Sequence, residues 1–269
     1  MTDREALKKT EAALSSVTDE ARFEAELLLS RITGRQAARI RIDPAGIEPE
    51  RLEELDRAVE RRLKREPLQY VLGEWYFMGL KFRVSPAALI PRQDTETLCE
   101  EALRLIRERG YRTLLDICTG TGCIAISLKT LSGIETAASD ISPEALALAR
   151  ENAAKNGAEI SFFEADLFEG LGKYDIVTAN PPYIPAPEMA ALQEEVRFEP
   201  ALALEGGSDG LDCYRRIAEE APAHINNGGA LLMEVGCGQA EAVAAMFPER
   251  ETTVIKDLNG IDRVVGIGF

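Results

Sequence analysis

The chain has 269 residues, 45% hydrophobic and 29% charged, which is typical of a folded globular protein with one large or two smaller domains. No apolar run approaches the roughly 20 residues needed to span a bilayer, and the charged N-terminus MTDREALKKT lacks the apolar core of a signal peptide. We therefore expect a cytoplasmic protein without membrane contact. Five scattered cysteines and a single histidine, His224, predict reduced thiols and no metal site.

The net charge of −15 is unevenly distributed along the sequence. Residues 1–85 contain 16 basic and 16 acidic side chains, so the whole excess of negative charge lies in residues 86–269. An acidic surface repels phosphate backbones, and we expect no direct nucleic-acid binding. The N-terminal part has a locally basic flank, which is either solvated or a contact for a partner. Its members are Arg57, Arg61, Lys64 and Arg65.

Residues 1–72 are predicted to form a small helical bundle, which we interpret as a substrate-docking domain. Two sets of apolar residues recur at helical spacing and would form the buried stripes of two helices. These are Phe23, Leu27, Leu28 and Ile32, followed by Gly34 as a helix stop, and Leu52, Leu55, Val59 and Leu63.

Residues 73–92 are predicted to form a β-hairpin linker. In WYFMGLKFRVS (75–85), Met78 and Gly79 separate two runs of aromatic and β-branched residues. Residues 93–269 then alternate between strand and helix patterns, which predicts a mostly parallel α/β sheet covered on both faces. We expect strands at 113–117, 135–139, 159–163, 174–178, 229–235, 251–255 and 263–268, and helices at about 123–131, 143–155, 209–224 and 238–247.

Ligands of such sheets bind outside the carboxyl ends of the strands, and three strand ends carry suitable residues. The first strand ends at Asp116 and continues as Cys118-Thr119-Gly120-Thr121-Gly122, where glycines allow close approach to a ligand. This loop also fits the dinucleotide pattern G-x-G-x-x-A, so a nicotinamide-binding fold stays open from the loop alone.

The next two strand ends complete a candidate adenosine site. Asp140 is placed to accept both hydroxyl hydrogen bonds of a ribose, whereas Ser142 and Pro143 are better suited to cap the following helix. Asp166 and Phe168 follow the third strand, where they could bind the exocyclic amine and the face of an adenine.

The segment ANPPYIP (179–185) follows the strand at 174–178, and Pro181 and Pro182 would stiffen this turn. With this segment the chain resembles class I S-adenosylmethionine-dependent methyltransferases, and among them the peptide-chain release factor glutamine methyltransferase family (PrmC/HemK type). The resemblance extends over PLQYVLGEWYFMGLKF, LIPRQDTETL, DICTGTGCIAISL, ASDISPEALALARENA, EVRFEPALALEGGSDGLDCYRRI and DLNGIDRVV. It implies a Rossmann-like catalytic domain with a seven-stranded, mostly parallel sheet over residues 93–269.

The resemblance also implies the reaction. A methyl group would pass from S-adenosylmethionine, giving S-adenosylhomocysteine, to the side-chain nitrogen of the glutamine in the Gly-Gly-Gln motif of release factors. The catalytic residues would be Asn180, Pro181, Pro182 and Tyr183. The residues expected to bind the cofactor are Asp116, Cys118, Thr119, Gly120, Thr121, Gly122, Asp140, Asp166, Phe168 and Asn180. A release factor is then the expected partner, bound by a monomeric enzyme.

An amide nitrogen is a poor nucleophile, because its lone pair is delocalised into the carbonyl. We expect the Asn180 side-chain oxygen and the Pro181 carbonyl to hold both amide hydrogens while positive charge develops, with Tyr183 against the amide plane. Three alternatives stay open, namely glutamine methylation of a ribosomal protein, amino-group methylation of a nucleic-acid base, and ligand binding without catalysis. Cys118 replaces a glycine of the family loop, so a left-handed backbone is not expected there.

Overall fold

The computed structural model describes residues 1–269, which divide into two compact units. Unit 1 contains Met1–Gly73 and Gln193–Phe198, and unit 2 contains Glu74–Leu192 and Glu199–Phe269. The hairpin that we treated as a linker is thus part of unit 2, and a short segment from the second half of the chain is part of unit 1. No helix is both long enough and apolar enough to cross a membrane.

Unit 1 is helical. Its elements are α1 (Asp3–Leu14), α2 (Ala21–Thr33), α3 (Ala37–Ile42), α4 (Pro49–Leu63) and α5 (Leu68–Leu72). A capping box starts α1, because the Thr2 hydroxyl accepts from the Glu5 amide and the Glu5 carboxylate accepts from the Thr2 amide. Helix α2 ends as predicted at Gly34, which has a left-handed φ of 71°.

The buried faces of α2 and α4 differ from the predicted stripes. Leu28, Ile32 and Leu55 are buried as predicted, but Phe23 and Leu63 are 51% and 40% exposed. The core faces are instead completed on α2 by Ala25, Leu29 and Glu24, and on α4 by Ala58 and Arg62. An apolar pattern misses these faces because each contains a charged residue.

Glu24 and Arg62 bury each other's charge. Arg62 Nε donates to Glu24 Oε2 at 2.8 Å, and the Arg62 and Glu24 side chains are 6% and 8% exposed, respectively. Arg62 Nη1 also lies 3.2 Å from Glu195 Oε1, and Arg65 Nη1 lies 3.1 Å from the same oxygen. These ion pairs attach the segment Gln193–Phe198 to the helices of unit 1.

Much of the basic flank therefore has partners within unit 1. Arg61 forms a two-pronged ion pair with Glu66, through Nε at 2.8 Å and Nη2 at 2.5 Å, and also donates to the Tyr70 carbonyl. Arg57 is different, since its side chain is 67% exposed and lies 3.9 Å from an equally exposed Glu53. Lys64 is exposed as well. Arg57 and Lys64 are therefore the members of the flank with the least ion pairing within unit 1.

The predicted hairpin in unit 2 is confirmed. Strands β1 (Glu74–Phe77) and β2 (Leu80–Arg83) pair antiparallel through a two-residue turn at Met78 and Gly79. Both turn residues have positive φ, 49° and 75°, which matches the right-handed twist of the flanking strands. On α8 (Pro143–Asn156), the fully buried Asn152 accepts from the Arg83 amide and donates to the Thr121 carbonyl, so it ties the hairpin to the loop at residues 118–122.

The predicted seven-stranded sheet is also confirmed. Its strands are β3 (Thr113–Ile117), β4 (Glu135–Asp140), β5 (Ser161–Glu164), β6 (Tyr174–Ala179), β7 (Ile225–Glu234), β8 (Thr252–Lys256) and β9 (Asp262–Gly268). They lie in the order β5-β4-β3-β6-β7-β9-β8, and all neighbours are parallel except β7–β9 and β8–β9. Strand β7 begins four residues earlier than expected, because Ile225 pairs with Tyr174 ahead of a bulge.

Helices cover the sheet on both faces. Besides α8 they are α6 (Glu96–Arg109), α7 (Cys123–Ser132), α9 (Asp212–His224) and α10 (Ala240–Ala244). Helix α6 was not predicted, although Leu98, Ala102 and Ile106 recur every four residues and are buried. The central strands β3 and β6 lie between two core clusters, and Leu115, Ile117 and Val177 are fully buried. Rigid packing thus surrounds the carboxyl ends of these strands.

Candidate active site

The loops that follow β3, β4 and β6 border a cavity of about 270 Å³ in unit 2. The chain runs outward from β3 through β4 to β5 and then returns to place β6 against the other side of β3. Ligand sites in open parallel sheets form at such a change in strand order. Further lining comes from residues 87–92 and 165–167 and from Pro200, Leu202, Ala203 and Glu205.

Asp116 lies beneath the cavity and is not part of its wall. The residue is fully buried, its Oδ2 accepts from the Thr119 hydroxyl at 2.6 Å, and its Oδ1 accepts from the Thr178 hydroxyl at 2.7 Å. Burial raises the pKa of Asp116 to about 7, against the lowering effect of these hydrogen bonds. Its carboxyl group therefore fixes the loop after β3 to strand β6.

The loop itself contains three left-handed residues, Cys118, Gly120 and Gly122, with φ of 56°, 55° and 79°. The expectation that Cys118 avoids this conformation is wrong, because the loop imposes it at a cost of about 1–2 kcal/mol. Gly122 caps α7, and a Cβ there would lie 2.9 Å from Ile126 Cδ1 and 3.2 Å from Ala149 Cβ. Close packing of α7 on α8 therefore requires glycine at 122.

Asp140 ends β4 and lines the cavity. Its Oδ2 accepts from the Gly120 amide at 2.8 Å and its Oδ1 accepts from the Ser142 amide at 2.9 Å. Burial raises the pKa of this carboxyl group. Ser142 caps α8, where it accepts from the Ala145 amide, so the cap and the ligand-facing carboxylate are separate residues. Each Asp140 oxygen keeps a lone pair for a ligand.

The third strand end places only one of its two predicted residues at the cavity. Asp166 lines the wall and accepts from Arg216 Nη1 at 2.9 Å. Phe168 is fully buried in the core and stacks on the His224 ring at a centroid distance of 4.9 Å. The structure thus does not bring Phe168 to the cavity. The apolar wall near Asp166 is formed by Ile141 and Leu167.

Asn180 follows β6 directly and lines the cavity together with Pro182, whereas Pro181 is buried beneath them. Tyr183 packs against the core below the turn, and burial raises the pKa of its phenol to about 12. The phenol is therefore protonated at neutral pH. The main-chain carbonyl of Tyr183 accepts from Gln239 Nε2 at 2.9 Å, and this hydrogen bond anchors the turn to the loop after β7.

Gly206 and Gly236 lie directly against the backbone and side chains of this turn. A Cβ on Gly206 would lie 2.7 Å from the Pro182 carbonyl oxygen and 2.9 Å from Tyr183 Cα, and a Cβ on Gly236 would lie 3.0 Å from Tyr183 Cδ2. The chain also pairs Ile184 with Glu205 in a short parallel bridge. Close backbone approach thus explains the glycine-rich segment EGGSDG at 205–210.

Several site residues have no role that the sequence alone reveals. Arg92 lines the cavity and forms an ion pair with Glu199, whose carboxylate also accepts from the Ile90 amide at 2.9 Å. Thr95 lines the cavity beside Asn180, and Glu234 is buried at the end of β7. Arg92 and Thr95 lie in the motif LIPRQDTETL and Glu199 lies in FEP, so these motifs were recognisable in the sequence, but the contacts between them depend on the fold.

Two buried polar atoms of cavity-lining residues have no hydrogen-bond partner, Thr121 Oγ1 and Asn180 Oδ1. An unpaired buried polar atom costs about 1–3 kcal/mol. Both atoms belong to residues that were expected to bind a cofactor or a substrate. A polar ligand in the cavity can satisfy them, so the residues present fit the adenosine cofactor that the sequence implies.

Two family models match the chain. The model described as PrmC N-terminal domain matches residues 5–73, and the model described as methyltransferase small domain matches residues 98–197. A release factor glutamine methyltransferase from Geobacter sulfurreducens is 47% identical over 92% of this chain and 89% of its own length. A release factor glutamine methyltransferase from Cereibacter sphaeroides is 42% identical over 92% of this chain and 91% of its own length.

A methyltransferase from Pyrococcus furiosus of known structure shares the fold. It superposes with a TM-score of 0.54 at 15% identity, covering 82% of this chain and 98% of its own. Similarity at this level concerns architecture only.

We predict that Gly206→Ala lowers the free energy of unfolding by about 1–3 kcal/mol, because the new methyl group overlaps the backbone of Pro182 and Tyr183. Gly172→Ala is the matched control, since no atom lies within 4 Å of a Cβ there and neither glycine has a left-handed φ. Chemical denaturation of both variants measures the difference. Equal stabilities would show that the turn yields to the added group.

Proposed function

Because this chain belongs to the release factor glutamine methyltransferase family, we propose that it methylates the side-chain amide nitrogen of the glutamine in the Gly-Gly-Gln motif of a peptide-chain release factor. The protein is a protein-glutamine methyltransferase by family. The observation that carries the assignment to this site is the unpartnered, buried Oδ1 of Asn180 at the wall of the cavity. A primary amide offers the N–H donor that this oxygen lacks.

For the methyl donor we propose S-adenosylmethionine, which supplies a methyl group on a positively charged sulfur. Asp140 would accept from the ribose hydroxyls with its remaining lone pairs, and Asp166 would accept from the adenine amine. The adenine faces would contact Ile141 and Leu167 in place of the predicted Phe168. Asp116 acts indirectly, since it holds Thr119 and the loop in place.

The residues of the turn would activate the substrate by position and charge. Asn180 Oδ1 and the Pro181 carbonyl would accept the two N–H bonds of the glutamine amide, and their dipoles stabilise positive charge as it develops on nitrogen. No side chain of the turn serves as a base, because the pKa of Tyr183 is raised to about 12. His224 stacks on Phe168, and its Nδ1 lies 3.1 Å from the Gly172 carbonyl, so it does not line the cavity.

The proposal is tested by incubating the protein with methyl-labelled S-adenosylmethionine and a purified release factor, followed by mass mapping of the labelled peptide. We expect one label, on the glutamine of the Gly-Gly-Gln motif. A release factor with that glutamine changed to alanine is the control and should take up no label. Labelling of a ribosomal protein in cell extract, with none on the release factor, would contradict the proposed substrate.

We predict that Asn180→Ala lowers kcat by on the order of 10²- to 10³-fold, because one fixed acceptor for the developing charge is lost. S-adenosylmethionine affinity should change only a few-fold. Asn180→Asp keeps an acceptor oxygen and should retain more activity than Asn180→Ala. Single-turnover kinetics and calorimetry measure the two quantities. If both variants turn over at the parent rate, Asn180 is only a structural residue of the turn.

We further propose that unit 1 docks the protein substrate and that the enzyme acts as a monomer without binding nucleic acid. Residues 1–85, which include all the helices of unit 1, carry no net charge, whereas the remainder carries all of the −15, so these helices would repel an acidic partner surface least. Arg57 and Lys64 are its candidates on α4, because the other arginines of the flank, Arg61 and Arg65, already pair with acids.

Reversing both charges, in Arg57→Glu/Lys64→Glu, should raise KM for the release factor by about three- to tenfold and reduce its salt dependence, with kcat unchanged. Lys8→Glu on α1 is the control, as Lys8 is equally exposed but on another helix. Steady-state kinetics at two salt concentrations measure the effect. Identical KM values for the parent and the double variant would show that Arg57 and Lys64 are solvated and do not contact the release factor.

A further inference from the structure

Arg216 on α9 lines the cavity and has no role in the reaction proposed above. Cys213, one turn earlier on the helix, lines the cavity as well, so one face of α9 borders it. Tyr214 and Ile217 are fully buried, and the Tyr214 hydroxyl donates to the Glu234 carbonyl at 2.7 Å. The backbone of α9 is thus anchored in the core, and this fixes the point from which the Arg216 side chain extends.

The backbone around Asp166 is also fixed, but its carboxyl group needs a partner. The Ala165 amide donates to the Asp140 carbonyl at 3.1 Å. The Ser139 hydroxyl donates to the Leu167 carbonyl at 3.2 Å. The Asp166 side chain is 41% exposed, and the torsion that turns an aspartate carboxyl group has a broad range. Packing therefore does not decide which way the two carboxylate oxygens point.

Arg216 supplies that partner. Its Nη1 donates to Asp166 Oδ1 at 2.9 Å, and its Nη2 lies 3.6 Å from Glu220 Oε1, one turn further along α9. The guanidinium group is thus held from both sides, and a hydrogen bond between two charged groups is short and directional. The ion pair uses one oxygen of Asp166 and leaves the lone pairs of Oδ2 for a donor in the cavity.

Stability does not account for this ion pair. The side chains of Arg216 and Asp166 are 45% and 41% exposed, and ion pairs as exposed as this one contribute little to the stability of a fold. Both residues line the cavity, however, so the pair lies where it can meet a ligand. Its effect on the direction of a carboxylate oxygen is then more important than its strength.

We propose that Arg216 is a positioning residue for the cofactor, which acts through its ion pair to turn Asp166 Oδ2 toward the exocyclic amine of adenine. A fixed acceptor distinguishes a purine that carries an amine from one that does not. A carboxylate that turns freely bonds water as readily and loses part of that distinction. This inference rests on the proposed function, since it assigns the means by which the proposed acceptor for the adenine amine is oriented.

The test measures, by calorimetry, the affinities for S-adenosylhomocysteine and for its analogue in which a hydrogen replaces the adenine amine. We expect the parent to bind the amine compound about tenfold more tightly, because the analogue leaves Asp166 Oδ2 without its donor. In Arg216→Met this preference should fall to about threefold or less, because the side-chain stem stays but the carboxylate is no longer oriented. The free energy of unfolding should stay at the parent value.

Arg215, the preceding residue on α9, provides the matched control. Its side chain is 47% exposed and forms ion pairs with Asp209 and Asp212, but it does not line the cavity. Arg215→Met should therefore keep the parent preference for the amine compound. Arg216→Lys keeps a cation without the planar guanidinium group and should retain more of the preference than Arg216→Met.

A double-variant cycle isolates the connection between the two side chains. In the Asp166→Ala background, Arg216→Met should change the preference no further, because there is no carboxylate left to orient. A parent that prefers the amine compound, together with an Arg216→Met variant that prefers it equally, would overturn the inference and leave the proposed function standing. A parent that binds both compounds equally would overturn the role of Asp166 and the inference with it. A parent that binds neither compound would overturn the proposed cofactor instead.

Discussion

The contact between β3 and β6 is the constraint on which the rest of the site depends. These strands are neighbours in the sheet although two strands and two helices separate them in sequence. Thr178 on β6 donates to Asp116 on β3 at 2.7 Å, and Thr119 donates to the same carboxyl group from the loop beyond. One buried acid thus links the cofactor-side loop and the strand that carries Asn180. Movement of either strand end would break the same pair of hydrogen bonds.

Around this contact, separate segments are fixed by short-range packing and by ion pairs. Arg92 and Glu199 join the loop before α6 to the segment after the turn, and Gly206 lets that segment lie directly against Pro182 and Tyr183. Asn152 extends the same support to the hairpin. The residues that would touch substrate are thus few, and most of the family motifs position them. This division explains why motifs spread over nearly the whole chain serve a single cavity.

Sequence predicted the sheet and the hairpin well, because alternating apolar runs and turn residues are local signals, and the cavity lies at the strand ends that the sequence indicated. It failed where the partner of a residue is distant. Phe168 was assigned to an adenine on its aromatic character, but it belongs to the core with His224, and Leu167 takes the cavity wall. The buried pair of Glu24 and Arg62 is invisible to a pattern of apolar residues for the same reason. Cys118 shows the converse, since the loop imposes a backbone conformation that its side chain disfavours.

The unpaired polar atoms give the site its chemical character. Thr121 Oγ1, Asn180 Oδ1 and Glu234 Oε2 are buried without partners in parts of the protein that are otherwise closely packed. Water would solvate such groups in the unfolded chain, so burying them without hydrogen-bond partners lowers the stability of the folded protein. An acceptor that is already desolvated and fixed needs no reorganisation when positive charge develops beside it, and its interaction is stronger than it would be in water. In the proposed methylation of a glutamine amide, such acceptors would stabilise the developing charge without the proton abstraction that no side chain of the turn can perform.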